Sequence, residues 1–344
     1  MNMGFNTQGS EALRAVKAAF AQGNLDMVAF FSQRLMQIDL EDGGNDPILD
    51  SAVDNLNGML KLIIISNDDH KLSIDGRIYA DDGQVPNTAN QDTTDDETRE
   101  NRLVDRNLNH QQYRIKWDYT PFNNELVNLS TLIYYNQTRS EERRVNILSG
   151  EDKRRFDTTE VSTVGVEVTN SSNIDFGKIP VTLNLGLKFF KDDHQAARNA
   201  EARVEHPTAQ RSFYAGFAQA EFSFSPKFTL SSGLRYDAFS LDPPDNFSQH
   251  NESALSPWLA LNWRPLDNLQ FFTSISQAFR APTLTEIYAE GIHFRRPELD
   301  EETGHLVLVN VQRRDIDPMT GDPILVNVQI PDIDPTTGRP KVDP

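Results

Sequence analysis

Residue types that do chemistry are sparse in this chain of 344 residues. It has no cysteine, which removes thiol nucleophiles, zinc knuckles and disulfide frameworks. No GxSxG, HExxH or P-loop run occurs, and no carboxylates pair at a spacing recognisable as an acid–base site. An enzyme is not expected. What remains is histidine, with seven copies. An imidazole can ligate a metal or carry a proton near neutral pH, although a lone one usually makes an ordinary hydrogen bond. His293 stands out by its setting. The run "SISQAFRAPTLTEIYAEGIHF" (274–294) leads from an alternating segment through Phe279, Arg280, Ala281 and Pro282 towards Tyr288, Gly291, the histidine and Phe294. His305 is the second candidate. His70 at a short turn and His110 at a strand start read as structural, and His194, His206 and His250 fall in long polar stretches.

The elements that must carry these residues show a period of two. In "VTLNLGLKFF", Val181, Leu183, Leu185, Leu187 and Phe189 share one face, with Thr182, Asn184, Gly186 and Lys188 on the other. In "FTLSSGLRYDA", Phe228, Leu230, Leu234, Tyr236 and Ala238 oppose Thr229, Ser231, Arg235 and Asp237. "YRIKWDY" sets Tyr113, Ile115, Trp117 and Tyr119 against Arg114, Lys116 and Asp118. Counting every such run predicts about ten to twelve strands before residue 281. Residues 1–50 are ambiguous, because Leu13, Val16 and Phe20 have helical spacing while "DMVAFFSQRLMQI" reads as a strand.

Connections alternate in kind. Short turns sit at 67–70, 121–124, 225–227 and 265–268, whereas 81–105, 139–156, 191–210 and 240–253 are long and polar. Antiparallel barrels of outer membranes have this asymmetry, with short turns on the periplasmic side and long loops outside. Tyr119, Phe122, Phe224, Phe228 and Trp263 lie near the short turns, where an interfacial aromatic girdle belongs. A soluble sandwich alternates equally well, but its strands average about five or six residues. The expected fold class is therefore all-β, an antiparallel transmembrane β-barrel. The bulk numbers agree. Hydrophobic content is 38% and no run of apolar residues is long enough for a spanning helix. A net charge of -18 excludes a nucleic-acid partner, which needs clustered Lys and Arg.

The tail differs. "ELDEETG" (298–304), "DIDPMTG" (315–321) and "DIDPTTG" (332–338) recur every 17 residues, with "LVNVQ" at 308–312 repeated at 325–329. Each unit is a short strand and an acidic turn. The spacing fits neither the helix-loop-helix calcium loop nor the nonapeptide repeat, so solvated turns are expected rather than calcium sites. The domain reading is 1–295 as barrel and 296–344 as a repeat-bearing insertion in an outer loop.

Phe279–Pro282 followed by "TLTEIY" resembles the FRAP box of TonB-dependent outer-membrane receptors. "LRYDAFSL" and "SPWLALNWRPLDNLQFFTSIS" are similar to the strands that precede that box. "RNLNHQQYRIKWDYTP" and "DNLNGMLKLIIISNDDHKLSIDGRIYAD" are similar to earlier strands of the haem and haemoglobin branch. The resemblance implies a barrel of about 22 strands with a plugged lumen, sited in the outer membrane of a Gram-negative bacterium. It implies active uptake of haem, or of haem from a carrier protein, driven through the TonB complex. Haem is then a transported ligand, with no intrinsic cofactor.

In such receptors a loop histidine between the FRAP box and an NPNL box ligates haem iron, and His293 falls in that place, with His305 as second candidate. A neutral imidazole suits the role. Tyr288, Gly291 and Phe294 would give an apolar face and backbone access for a porphyrin. The acidity reads as solvated loops and lumen, where carboxylates hold divalent ions together with lipopolysaccharide.

Departures from the family pattern carry their own expectation. No plug or TonB-contacting box is seen, "RPEL" (296–299) stands where NPNL would follow, and about twelve strands are only part of such a cylinder. The expected structure is an open curved sheet that is not a competent transporter alone. A ferric-siderophore receptor stays open, with Arg295 and Arg296 beside Phe294 as its argument, and so does a surface adhesin-like β protein.

Overall fold

A computed structural model describes residues 2–6, 11–36, 40–41, 44, 47–48, 52, 54–86, 103–144, 155–203, 208–243, 248–288, 308–316 and 323–331. Its strands are β1 (Asn2–Asn6), β2 (Glu11–Gln22), β3 (Leu25–Met36), β4 (Leu40–Glu41), β5 (Pro47–Ile48), β6 (Asp54–Asn67), β7 (His70–Pro86), β8 (Leu103–Tyr119) and β9 (Leu129–Arg144). There follow β10 (Arg155–Phe176), β11 (Ile179–Arg198), β12 (Glu201–Ala202), β13 (Ala209–Ser225), β14 (Phe228–Asp242), β15 (His250–Leu266) and β16 (Leu269–Ser276). A short helix, α1 (Leu284–Tyr288), and two further strands, β17 (Leu308–Ile316) and β18 (Pro323–Pro331), complete the described elements.

One antiparallel sheet takes in 14 strands, and its path from β1 to β16 follows chain order. The two-residue strands β4 and β5 pair apart from it, β12 is a spur on β11, and β17 pairs β18 in a separate hairpin. β1 and β16 end the path without pairing each other, so the sheet is open as expected. Residues Met1–Ala289 form one compact unit and Glu290–Pro344 a second.

The helical spacing of Leu13, Val16 and Phe20 misleads: all three lie on β2, which pairs β3 from Glu11↔Met36 to Gln22↔Leu25. Ladder pairing to a long neighbour overrides a short periodic accident. Gly23, at φ 57°, makes the turn between them in the left-handed region that glycine enters freely.

Register sorts the side chains. Across the middle of the sheet Val168, Leu187, Gly216, Tyr236 and Leu255 are successive partners, while one residue along Glu167, Lys188, Ala215, Asp237 and Ala254 are. The first face is uncovered: Leu185 is 43% exposed, Leu187 68% and Leu259 45%. Substantial contacts among the described elements run between ladder neighbours, with α1 against β13 the exception. Among the described residues no second layer covers the apolar side, which is unlike a sandwich and fits hydrocarbon as the solvent there. The polar face is the more buried, with Asp75, Asp192 and Asp237 each under a tenth exposed. It is the inner face.

Strands outrun the loops assigned to them from sequence. β10 has 22 residues and β11 has 20. At ~3.4 Å per residue β10 is roughly 75 Å long, whereas a tilted strand crosses hydrocarbon in about ten residues. The wall therefore continues well past the bilayer, with polar residues on both faces. His194 and His250 are in strands rather than loops for this reason.

At the tight-turn end, outward aromatics cluster. Trp117 and Tyr119 stack at 5.9 Å and Trp263 on Phe271 at 5.6 Å, while Phe224 and Phe228 meet at 5.6 Å. His70 belongs to this belt: its ring stacks on Tyr119 at 4.6 Å, and Trp117 Nε1 donates to its Nδ1.

Candidate functional site

β16 ends its ladder at Ser276, opposite Trp258, and Gln277 N adds one more bond to Pro257 O at 3.0 Å. Pro282 cannot donate to a ladder, and it disfavours helical backbone at Ala281 before it. The chain therefore leaves the wall. It turns inward and crosses the polar face, where the Phe279 ring stacks on Phe239 of β14 at 6.1 Å and 19°. Leu284, the first residue of α1, is 8% exposed and joins Ala209, Phe239 and Leu241 in a buried cluster, with Phe213 and Ala281 packed against it. Residues 277–288 thus form a strap from β16 over β14 to β13, on the inner side and towards the long connections.

The strap's bend is held by one carboxylate. Thr283 and Glu286 make a capping box: Glu286 N donates to Thr283 Oγ1 at 3.2 Å, and Thr283 N donates to Glu286 Oε2 at 2.8 Å. The same carboxylate takes both amino groups of Arg280, at 2.7 and 2.9 Å. Two-point guanidinium pairing fixes direction as well as distance. Arg280 first, then the Thr283 amide, holds the Glu286 carboxyl down from 4.5 to about 2.

Between strap and wall lies an open hollow of about 550 Å³, lined by Phe217 and Trp258 from the wall and by Phe279 and Ala281 from the strap. The Phe217 ring lies over Gly186 and the Trp258 indole over Gly233, so closely that a Cβ at either glycine would run into the ring. Glycine opposite a large aromatic lets the ring lie flat on its strand neighbour. Arg235 and Asp237 add a charged edge, paired at 2.8 Å. Elsewhere the inner face repeats that device, with Asp75 held by Arg114 Nη2 at 2.8 Å and Asp192 paired with Arg211. No group of His, Asp and Glu among the described residues is arranged to hold a metal ion.

Of the residues singled out from sequence, Phe279, Arg280, Ala281 and Pro282 are brought into the strap, and Tyr288 ends α1. Gly291, His293, Phe294 and His305 lie outside the described residues, as does His206. His110 Nδ1 contacts Thr138 Oγ1 at 2.8 Å, and His250 pairs with Glu252 at 3.0 Å. Thr283, Glu286 and the aromatic lining of the hollow were missed. "TLTE" is a capping-box signature directly after a proline and was legible.

Comparison with known proteins matches residues 60–339 to the family described as TonB dependent receptor-like, beta-barrel. The hemin receptor of Yersinia pestis is 26% identical over 200 residues, covering 57% of this chain and 28% of the receptor. TonB-dependent heme receptor A of Haemophilus influenzae is 24% identical over 310 residues, covering 78% of this chain and 41% of that protein. This chain therefore spans less than half the length of the relatives it matches. Among solved structures, a double mutant of the Serratia marcescens hemophore receptor HasR, in complex with its hemophore HasA and heme, superposes with a TM-score of 0.69 at 17% identity. That match covers 83% of this chain and 45% of HasR. The family is one of outer-membrane receptors and not an enzyme class, and with the open ladder, the uncovered apolar face and the match over most of its length, this chain belongs to the TonB-dependent receptor β-barrel family.

Proposed function

We propose that the full-length protein takes up haem, free or handed over by a haem-carrier protein, across a Gram-negative outer membrane, with energy from the TonB complex. The observation that supports this reading is the kind of relative that matches: proteins named as hemin and heme receptors align with 57% and 78% of this chain. His293 is the axial ligand in this reading and His305 the alternative. Tyr288, Gly291 and Phe294 flank the macrocycle. The protein wall supplies position and polarity, and an imidazole supplies the bond to iron.

Titration of the full-length receptor with haem, read by Soret absorbance, tests the proposal. His293→Ala is expected to weaken binding by about tenfold or more, as loss of a single anchoring contact does. Unchanged affinity refutes the ligand assignment. Absence of any haem-dependent spectrum, with displacement of a labelled ferric chelate instead, refutes the haem reading in favour of a siderophore.

A further inference from the structure

The hollow under the strap has the chemistry of a second, iron-independent site. It lies in the half of β13–β15 nearer the long connections, and its lining is aromatic on more than one side: Phe213, Phe217 and Trp258 from the wall and Phe279 from the strap. At one edge stands Arg235. A guanidinium carries five N–H donors, of which Nε and Nη2 serve Asp237. Ser256 lines the same hollow, and its hydroxyl is shielded from solvent without a hydrogen-bond partner. A shielded hydroxyl left unmet is costly, so it favours a ligand that brings an acceptor.

We propose that this hollow is a porphyrin subsite on the transport path, distinct from the His293 loop, that holds the macrocycle by its faces and its carboxylates rather than by its iron. The proposal rests on the haem reading above. Flat aromatic surfaces recognise a planar ring of any metal content, and Arg235 with Ser256 meets the carboxylates at its edge. The volume, about 550 Å³, is of the size that small-ligand sites occupy. A porphyrin released by His293 would thus be passed to a second set of contacts, supplied by the wall and the strap.

Iron-free protoporphyrin IX separates the two sites, because it cannot use an axial ligand. In the full-length receptor its binding is followed by quenching of tryptophan fluorescence, with Trp258→Phe as the control that removes the share arising in the hollow. The expected result is binding that survives His293→Ala unchanged and weakens by about tenfold in Phe217→Ala and in Ser256→Trp, which fills the hollow. Should Ser256→Trp fail to assemble, Phe217→Ala decides alone. Protoporphyrin binding that disappears with His293→Ala, or that neither hollow variant changes, overturns the subsite. A receptor that binds haem through His293 but takes up no iron-free porphyrin also overturns it, and leaves the haem reading standing. A receptor with no haem spectrum at all removes both.

Discussion

Phe279 and Phe239 stack with centroids 6.1 Å apart, and this contact turns the end of a wall strand into a bridge across the inner face. Phe239 is 3% exposed, so its ring is already committed to the wall. Phe279 adds a second ring on top and brings the backbone of Arg280–Thr283 with it. The motif that follows β16 is therefore a docking device for the segment that runs through α1.

Phe279→Ala should release the strap. Truncating a fully buried Phe costs about 3–5 kcal/mol; Phe279 is half-buried, so roughly 2 kcal/mol of docking energy is expected to go. In the full-length receptor, protease cleavage within 277–289 should then accelerate by roughly tenfold or more, since opening follows the free energy lost. Phe279→Leu should change it little. Equal cleavage of the wild type and Phe279→Ala would show that the stack does not hold the segment.

The Glu286 clamp makes a prediction about pH. Its folded pKa, about 2, lies below the ordinary 4.5. A depressed carboxylate stabilises the fold fully above its unfolded value, and that contribution fades as pH falls from about 4.5 through about 2. Between pH 5 and 7 the clamp should hold constant. Hydrogen exchange of the α1 amides, corrected for intrinsic rate, should show equal protection at pH 5 and 7. Glu286→Gln keeps the capping geometry but loses the ion pair, and should exchange faster at both. Thr283→Ala should cost about 1 kcal/mol of local stability, as lost N-caps do. Loss of protection at pH 5 in the wild type would contradict the assignment of the shift to Arg280 and Thr283.

Much of this was legible, and what was not has a physical reason. A half-lipid, half-water wall writes itself as period two, so the faces of β11, with Leu183 out and Asn184 in, follow from the residues alone. The outer strand ends read as loops because beyond the bilayer they have no apolar face to announce them; His194 is buried in β11 within a stretch as polar as any loop. The strap was invisible for another reason. Phe239 is far in sequence from Phe279 and Leu284 and meets them only because the chain folds back, which no local period records. The hollow follows suit, since Gly233 beneath Trp258 is a cross-strand fact set by register.

The inner charge pairs predict a coupling. Asp75 is 6% exposed and takes Nε and Nη2 of Arg114. Breaking a buried pair leaves an uncompensated charge, at about 3–5 kcal/mol when both partners are fully buried. Arg114 is 31% exposed and Arg77 Nε also lies 3.6 Å from Asp75, so water and a second cation offset part of it and about 2 kcal/mol is the upper expectation. Asp75→Asn and Arg114→Met should each destabilise the receptor by up to that amount in reversible denaturant unfolding from phospholipid bilayers. Combined, they should cost clearly less than the sum, because neither partner is then left charged without the other. Strict additivity would mean that the two residues do not act as a pair.

Everything about the wall depends on which solvent meets its apolar side. Leu185 is the decisive place to ask, sitting outward on β11 as the seventh residue of that strand, close to mid-depth for a span of about ten. Asn184 is its neighbour on the inner face, opposite Gln219. An arginine on a lipid-facing strand costs about 2–4 kcal/mol at the bilayer midplane and about 0–1 near the interfaces, whereas the lumen tolerates it. Leu185→Arg should therefore lower stability in bilayers by about 2–4 kcal/mol, and Asn184→Arg by less than about 1. The same two variants in detergent micelles should differ less, because headgroups and water come closer to the wall there. If Asn184→Arg were the costlier of the two, the faces would be reversed, and the strap would lie on the outside of the molecule rather than in its channel.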